Sequence, residues 1–316
     1  MTRSRIVVTG GAGFIGGNLC RALAERDDVD EVVALDDLST GSAANLDGSK
    51  AGLVVGSILD DDVLDEVMPM ATSVVHLAAR PSVPRSLEDP MASHTVNATG
   101  TLMVLEAIRR HAVPHVVVAS SSSVYGANPT LPKDEELATR PRSPYAASKL
   151  ATEAYALAHA SSFDMRVLAL RFFNVFGPLQ SAGHAYAAVV PAFVTAALDG
   201  APLPVHGDGT QTRDFTYVGT VCTALADAAL RHVASPDPVN LAFGTRTSLL
   251  ELIAELEVIL GHPLAREHQP SRPGDVRDSQ AANGRLQALL PELRAVPLPD
   301  ALRATVDWYV DQRTIS

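Results

Sequence analysis

Residues 5–16 read Arg-Ile-Val-Val-Thr-Gly-Gly-Ala-Gly-Phe-Ile-Gly, a β-branched run that ends in a cluster of glycines. The run 5–9 predicts a buried strand, and residues 14–26 have the length and apolar spacing of a helix. A glycine-rich turn between strand and helix lets the backbone approach a phosphate, and the helix start offers free N–H groups. Glycines also accumulate in ordinary loops, but this order of elements predicts a dinucleotide-binding unit.

The alternation of strand and helix continues through the first half of the chain. Further β-branched runs lie at 31–35, 53–55, 73–77, 115–119 and 166–170, and helix-length stretches at 61–68, 92–111 and 145–161. Alternating β and α elements predict a parallel sheet covered by helices on both faces, and continuously apolar strands fit that burial. We therefore expect an α/β fold with a Rossmann-type doubly wound parallel sheet.

After about residue 175 glycine and proline become frequent, and helical segments remain at 220–232, 249–260 and 300–311. This change of rhythm predicts a second region. We expect residues 1–174, with the chain returning at about 218–245, to form a dinucleotide-binding domain. Residues 175–217 and 246–316 would then form a smaller C-terminal α/β substrate-binding region.

Composition narrows the class of protein. The 316 residues are 47% hydrophobic and carry a net charge of −11, which gives no support to nucleic-acid or anionic-membrane binding. Two cysteines, Cys20 and Cys222, are too few for a disulfide framework and lack the spacing of a zinc site. The longest apolar run, 185–198, contains Pro191 and is too short to cross a bilayer. We expect a cytoplasmic protein without a bound metal.

Asp36 lies 20 residues after Gly16, at the end of the second predicted strand. A carboxylate there accepts hydrogen bonds from the adenosine ribose hydroxyls and repels a 2′-phosphate. This favours NAD over NADP as the cofactor. The plainer alternative is a solvated aspartate that starts a turn.

Tyr145 and Lys149 lie four residues apart on one face of a predicted helix. A nearby ammonium, together with a positively charged nicotinamide ring, would lower the phenol pKa from about 10 and make Tyr145 a usable base. The spacing also occurs by chance in helices. Here, however, it follows four serines, 120–123, placed at the carboxyl end of a predicted strand, where ligands of such sheets bind.

Taken in order, these motifs resemble the extended short-chain dehydrogenases/reductases, and among them the UDP-glucose and UDP-N-acetylglucosamine 4-epimerases. The resemblance adds His-Leu-Ala-Ala at 76–79, Val-Tyr-Gly at 124–126 and Arg-Phe-Phe-Asn at 171–174, and it covers about residues 5–290. It implies that Ser121, Tyr145 and Lys149 are catalytic. It also implies a homodimer that forms through the two long helices predicted at 92–111 and 145–161. The apolar faces of those helices could equally be buried within one chain.

The resemblance also implies individual binding positions. For NAD they are Gly10, Gly13, Phe14, Ile15, Gly16, Asp36, Asp37, Leu38, Ser39, Thr40, Gly41, Ser57, Ile58, Leu77, Ala78, Ala79, Asn97, Tyr145, Lys149 and Phe172. For a UDP-sugar they are Ser82, Val83, Arg85, Ser121, Ser122, Ser123, Tyr145, Asn174, Val189, Val205, His206, Arg213, Arg272, Asp275 and Ser279. The chain departs from many relatives at Ser57, where they carry an aspartate that touches adenine.

The reaction follows from what stands beside Ser121. Dehydratases that the chain resembles carry Asp-Glu where this sequence has Ser122-Ser123, because expelling water needs acid and base groups. Neutral hydroxyls imply a UDP-hexose 4-epimerase that uses tightly bound NAD and a transient 4-keto sugar. The small Ser279 leaves room for an N-acetyl group, whereas Arg85 or the serines could bind the carboxylate of UDP-glucuronate. Another dehydratase, dehydrogenase or reductase of the family and a non-catalytic NAD-binding protein are the alternatives.

Overall fold

A computed structural model describes residues 4–182, 188–270 and 277–315. Its strands are β1 Arg5–Thr9, β2 Glu31–Asp36, β3 Gly52–Val55, β4 Ser73–His76, β5 His115–Ser121, β6 Arg166–Phe172, β7 Val175–Phe176, β8 Leu203–His206, β9 Thr212–Arg213, β10 Thr216–Tyr217, β11 Val239–Leu241, β12 Thr247–Ser248 and β13 Arg266–Gln269. Its α-helices are α1 Phe14–Ala24, α2 Asp61–Val67, α3 Val83–Glu88, α4 Pro90–His94, α5 Gly100–Arg110, α6 Pro144–Phe163, α7 Val189–Leu198, α8 Val218–Arg231, α9 Leu249–Leu260, α10 Gly284–Leu289 and α11 Leu298–Ile315.

Seven strands form the central sheet in the order β11-β6-β5-β4-β1-β2-β3, and every neighbouring pair is parallel. The strand order reverses beside β1, which is the Rossmann arrangement, so the predicted doubly wound sheet is confirmed. One apolar core lies between the sheet and helices α1 and α8. The other lies between the opposite face and α2, α5 and α6. The carboxyl ends of β1, β4 and β5 therefore open onto one crevice.

Two details differ from the sequence prediction. Strand β5 runs two residues past the predicted end at 119, so Ser120 and Ser121 belong to the strand itself. The predicted helix 92–111 extends over 90–110 but contains one π-helical turn, Thr95–Thr99. Such turns interrupt the regular hydrogen bonding of an α-helix and are frequent at functional sites. Asn97 lies on this turn.

The smaller C-terminal region has its own apolar core. Helices α7, α9 and α11 pack around buried side chains that include Phe193, Leu256 and Leu302. A parallel pair, β8 with β13, extends this region. Residues 218–241 return to the large sheet, where α8 packs on α1 and β11 pairs with β6.

His115, fully buried in β5, makes stability depend on pH. Its Nδ1 lies 2.8 Å from Ser73 Oγ and its Nε2 lies 2.8 Å from the Val233 carbonyl oxygen. Burial lowers the pKa of His115 to about 4 from an ordinary 6.5. The unfolded chain therefore binds this proton more readily, so the stability linked to His115 is complete above pH 6.5 and is lost as the pH falls toward 4.

We expect His115→Gln to reduce the difference in unfolding free energy between pH 7.5 and 4.5 by on the order of 2 kcal/mol. Urea denaturation at the two pH values measures that difference. Equal pH dependence in the parent and the variant would contradict the assignment.

Candidate active site

The glycine turn between β1 and α1 forms the floor of a cavity of about 940 Å³. Gly10 has a φ of +69°, and a Cβ there would lie 2.7 Å from the Ala78 backbone nitrogen. Gly13 also lines the cavity. A Cβ there would lie 3.2 Å from the Gly10 oxygen, its nearest contact among the described residues. Within the same residues no side chain caps α1, so its first N–H groups face the cavity. This cradle fits a pyrophosphate.

Asp36 lies on the same cavity and is only 8% exposed. One carboxylate oxygen accepts the Ala12 N–H at 3.0 Å, and the other accepts the Leu38 N–H at 2.8 Å. Burial raises the pKa of the Asp36 carboxyl, while these hydrogen bonds oppose the rise. Asp36 is therefore not a solvated turn residue, and its position fits a ribose diol.

Most positions implied for NAD line this cavity. They are Gly10, Gly13, Phe14, Ile15, Gly16, Asp36, Asp37, Ser39, Thr40, Ser57, Ile58, Leu77, Ala78, Ala79, Tyr145, Lys149 and Phe172. Leu38 packs against the core, and Gly41 lies against Ala12, so neither lines it. Sequence reasoning missed further lining residues, among them Gly56, Arg80, Val96 and Gln180. Gly56 directly precedes Ser57, but the others carry no motif that marks them.

Asn97 does not line the cavity either, because its side chain is used within the protein. Its Oδ1 accepts the Arg80 N–H at 2.7 Å, and its Nδ2 donates to the Arg80 carbonyl at 3.2 Å and to Ser148 Oγ at 2.9 Å. The π-helical turn thereby ties the loop after β4 to helix α6. Asn97 thus positions two parts of the site from behind.

Tyr145, Lys149 and Ser121 come together on the cavity wall. Lys149 Nζ donates to the Ala119 carbonyl at 2.9 Å, and burial lowers the pKa of its ammonium to about 8. Burial raises the pKa of the Tyr145 phenol, and a hydrogen bond from Ser121 opposes that rise. Helix α6 and strand β5 therefore present a phenol, an ammonium and a hydroxyl to the same cavity.

His76, the first residue of the His-Leu-Ala-Ala motif, lies buried behind these catalytic candidates. Its Nδ1 is 2.7 Å from Thr9 Oγ1, and its Nε2 is 3.0 Å from Thr101 Oγ1. Burial, together with the positive charge of Lys149, lowers the pKa of His76 to about 3. The imidazole therefore stays neutral and links β1, β4 and α5.

A second cavity of about 340 Å³ adjoins the first and shares Asn174 and Val175 with it. Of the positions implied for the UDP-sugar, Val83, Asn174, Val189, His206 and Arg213 line the second cavity, and Arg85, Ser121, Ser122, Tyr145 and Asn174 line the first. The rest of the second cavity, including Phe193, Gln211 and Phe215, was not predicted.

Four other predicted contacts lie outside both cavities. Val205 is fully buried in the C-terminal core. Ser82 caps α3 by accepting the Arg85 N–H at 3.4 Å, and Ser279 Oγ lies 3.5 Å from Asn174 Nδ2. Ser123 donates to Ser121. Arg272 and Asp275 lie outside the described residues.

Comparison with known proteins agrees with this geometry. Residues 6–242 match the NAD dependent epimerase/dehydratase family. A UDP-glucose 4-epimerase from Mycolicibacterium smegmatis is 37% identical over 312 residues, which cover 96% of this chain and 98% of that protein. The chain belongs to the NAD-dependent epimerase/dehydratase family.

Other relatives show the range of this family. A dTDP-glucose 4,6-dehydratase from Streptomyces niveus is 33% identical, covering 98% of this chain and 94% of its own. The structure of a UDP-N-acetylglucosamine 4-epimerase from Methanobrevibacter ruminantium superposes with a TM-score of 0.92, at 33% identity, over 99% of this chain and 100% of that chain. The predictions of an NAD-dependent enzyme and of its family are confirmed.

Family membership establishes NAD as the cofactor but does not identify the substrate. Arg213 Nη1 donates to the Thr212 and Arg277 carbonyls, each at 2.9 Å, which holds its side chain at the cavity edge. Asp214 is fully buried beside it and accepts the Gly244 and Ala281 N–H groups at 3.0 Å. Asp214, which lies between the lining residues Arg213 and Phe215, therefore joins three segments of the chain beside the second cavity. Among the described residues no helix is long and apolar enough to cross a membrane.

Proposed function

We propose that this protein is a UDP-sugar 4-epimerase that inverts C4 of a UDP-hexose with tightly bound NAD. The observation that carries the proposal is the end of β5. Ser121 and Tyr145 line the same cavity, and Ser121 is followed by Ser122 and Ser123, both neutral hydroxyls. Proton exchange at a single hydroxyl needs one base, whereas elimination of water needs a further acid and base.

The residues that would hold NAD are those of the glycine cradle, Asp36 and the α6 pair. Gly13 and the start of α1 fit the pyrophosphate, and Asp36 fits the adenosine ribose. When bound, NAD supplies the hydride chemistry, by which C4 is oxidised and then reduced on its other face. We propose that Lys149 hydrogen-bonds the nicotinamide ribose and adds positive charge beside Tyr145.

Tyr145 would accept the proton from the C4 hydroxyl and return it after the sugar has turned. Ser121 would donate a hydrogen bond to whichever oxygen carries negative charge at that moment. Burial of Tyr145 opposes the phenolate, so the hydrogen bond donated by Ser121 and the positive charge of Lys149 would have to stabilise it. Both groups act at the same atom, so the two directions of the reaction use one constellation.

For the UDP part we propose the second cavity. Asn174 lines both cavities, and Arg213 stands at the edge of the second, so the diphosphate would bridge them. Arginine suits this role because its planar fork can hold two phosphate oxygens. We propose that residues 1–174 and 218–245 form the dinucleotide-binding domain and that residues 175–217 and 246–316 form the domain that holds the UDP part of the substrate.

The preferred sugar is a hexose or N-acetylhexosamine, with glucuronate as the second candidate. The small Ser279 suggests room for an N-acetyl group through the sequence resemblance alone, because it lies outside both cavities and reaches the site only through Asn174. The Arg85 side chain lines the first cavity and could meet a C6 carboxylate. Purified protein without added cofactor should be mixed separately with UDP-glucose, UDP-N-acetylglucosamine and UDP-glucuronate and followed by proton NMR. We expect a galacto-configured product that reaches the same ratio from either epimer.

A stable keto-sugar or accumulating NADH would instead assign the dehydratase or dehydrogenase branch. Absence of turnover on all three sugars, even with NAD added, would reject the proposal for these substrates. The same experiment therefore separates the branches of the family by product.

We also propose that the protein is a homodimer. Large apolar side chains remain exposed on α3, α4 and α6, namely Leu87, Met91, Tyr155 and Phe163. Apolar side chains that cluster on adjacent helices usually mark an interaction surface. A second copy of the chain would cover them and double the mass of 33.3 kDa in solution.

A further inference from the structure

Ser123 lines neither cavity, and its hydroxyl is directed at Ser121. Its Oγ donates to Ser121 Oγ at 2.9 Å, and its backbone N–H donates to the same oxygen at 3.2 Å. A serine hydroxyl has two acceptor sites and one donor. Ser123 fills both acceptor sites of Ser121, so the Ser121 proton is left free to point into the cavity that Tyr145 also lines.

We propose that Ser123 is a positioning residue that fixes the direction of the Ser121 hydroxyl, so that Ser121 acts only as a donor to the Tyr145 oxygen or to the reacting sugar oxygen. The inference rests on the proposed epimerase function and deepens it. It also corrects the sequence-based expectation that Ser123 touches the substrate. Ser123 orients the Ser121 hydroxyl, and Ser121 in turn acts on Tyr145.

The direction of the Ser121 O–H group has a chemical consequence. A donor that points at the Tyr145 oxygen stabilises the phenolate more than the phenol and therefore lowers the Tyr145 pKa. Without the Ser123 hydroxyl, one acceptor site of Ser121 opens. The Ser121 hydroxyl could then accept from Tyr145 as readily as donate to it, and the phenolate would lose part of its stabilisation.

The local fold does not depend on the Ser123 hydroxyl. Its backbone N–H still caps the short 3₁₀ helix Ser122–Tyr125 through Ser121 in an alanine variant. A Ser123→Ala protein should therefore fold, bind NAD and bind substrate as the parent does. Ser123→Thr keeps a hydroxyl and is the matched control.

The test is the pH dependence of kcat on the UDP-sugar that the parent turns over. In Ser123→Ala we expect the acidic limb to move to higher pH by about 0.5 to 1 unit, which on that limb lowers kcat about threefold to tenfold. On the alkaline plateau kcat, KM and the NAD content should match the parent, and Ser123→Thr should restore the limb. A limb that stays in place, or a rise in KM at every pH, would overturn the inference.

A second measurement does not need turnover. Tyrosine ionisation can be followed by ultraviolet difference absorbance, and subtracting the titration of a Tyr145→Phe protein isolates the Tyr145 phenol. We expect this titration to move upward in Ser123→Ala and to return in Ser123→Thr. If no UDP-sugar is converted but the shift appears, the proposed function fails while the role of Ser123 stands. An unmoved titration rejects that role.

Discussion

Tyr145→Phe is expected to lower kcat by about 10² to 10⁴-fold while the protein keeps its NAD. The change removes only the phenolic oxygen, so the ring continues to occupy the same half-buried position at the start of α6. Tyr145 is the only described tyrosine that lines the first cavity. Initial rates by NMR measure kcat, and the absorbance of NAD released on denaturation measures cofactor content.

The matched control for this variant is Tyr155→Phe, which lies on the same helix and is 42% exposed. It loses the same atom ten residues away and should keep the rate of the parent. If Tyr145→Phe retained more than about a tenth of the parental rate, the proton would be taken by another group. Full activity would favour a non-catalytic tyrosine and reopen the alternative of a binding protein.

The large sheet was predictable because its strands are buried on both faces. Both faces of the sheet are covered, so strand residues are buried on either side, as seen for Val7, Val33, Val75 and Val117. Each strand is therefore apolar throughout, which distinguishes it from the amphipathic helices. The glycine turn was predictable for a different reason, the local backbone geometry. Only a residue without a Cβ can take the φ of Gly10 against Ala78.

Other features depend on tertiary contacts and leave no local trace. The partners of Asn97 come from the loop after β4 and from α6, so its role as an anchor could not be inferred from neighbours in sequence. The same holds for Ser123, whose hydroxyl could reach the substrate or Ser121 depending on how the 3₁₀ turn closes. Sequence identified the type of residue in the site, and tertiary geometry decided what each one faces.

A buried ion pair behind the site gives the largest expected effect on stability. Glu153 and Arg171 are each 3% exposed and are joined by two hydrogen bonds of 2.7 and 2.9 Å. Burial alone lowers the pKa of Arg171, but the hydrogen bonds and charge of Glu153 raise it above its ordinary range. Glu153 also accepts from Ser120 Oγ at 2.7 Å, directly beside Ser121. The pair therefore joins α6, β5 and β6 where the catalytic groups meet.

Glu153→Ala is expected to lower the free energy of unfolding by about 3 to 5 kcal/mol, because Arg171 would remain charged without its partner. Denaturant unfolding measures this loss. The double variant Glu153→Met, Arg171→Met removes both charges and should recover much of it. As the control, Asp28→Ala breaks the exposed pair with Arg26, whose side chains are 58% and 39% exposed, and should cost less than about 1 kcal/mol.

The ion pair also predicts a link between stability and catalysis. Glu153 lies one helical turn after Lys149 and two turns after Tyr145, so its loss frees the face of α6 that holds both groups. Ser120 would lose its acceptor at the same time, which loosens β5 beside Ser121. We therefore expect the Glu153 variant to lose kcat under conditions where it is still folded. A variant that is destabilised but turns over at the parental rate would show that the pair only supports the fold.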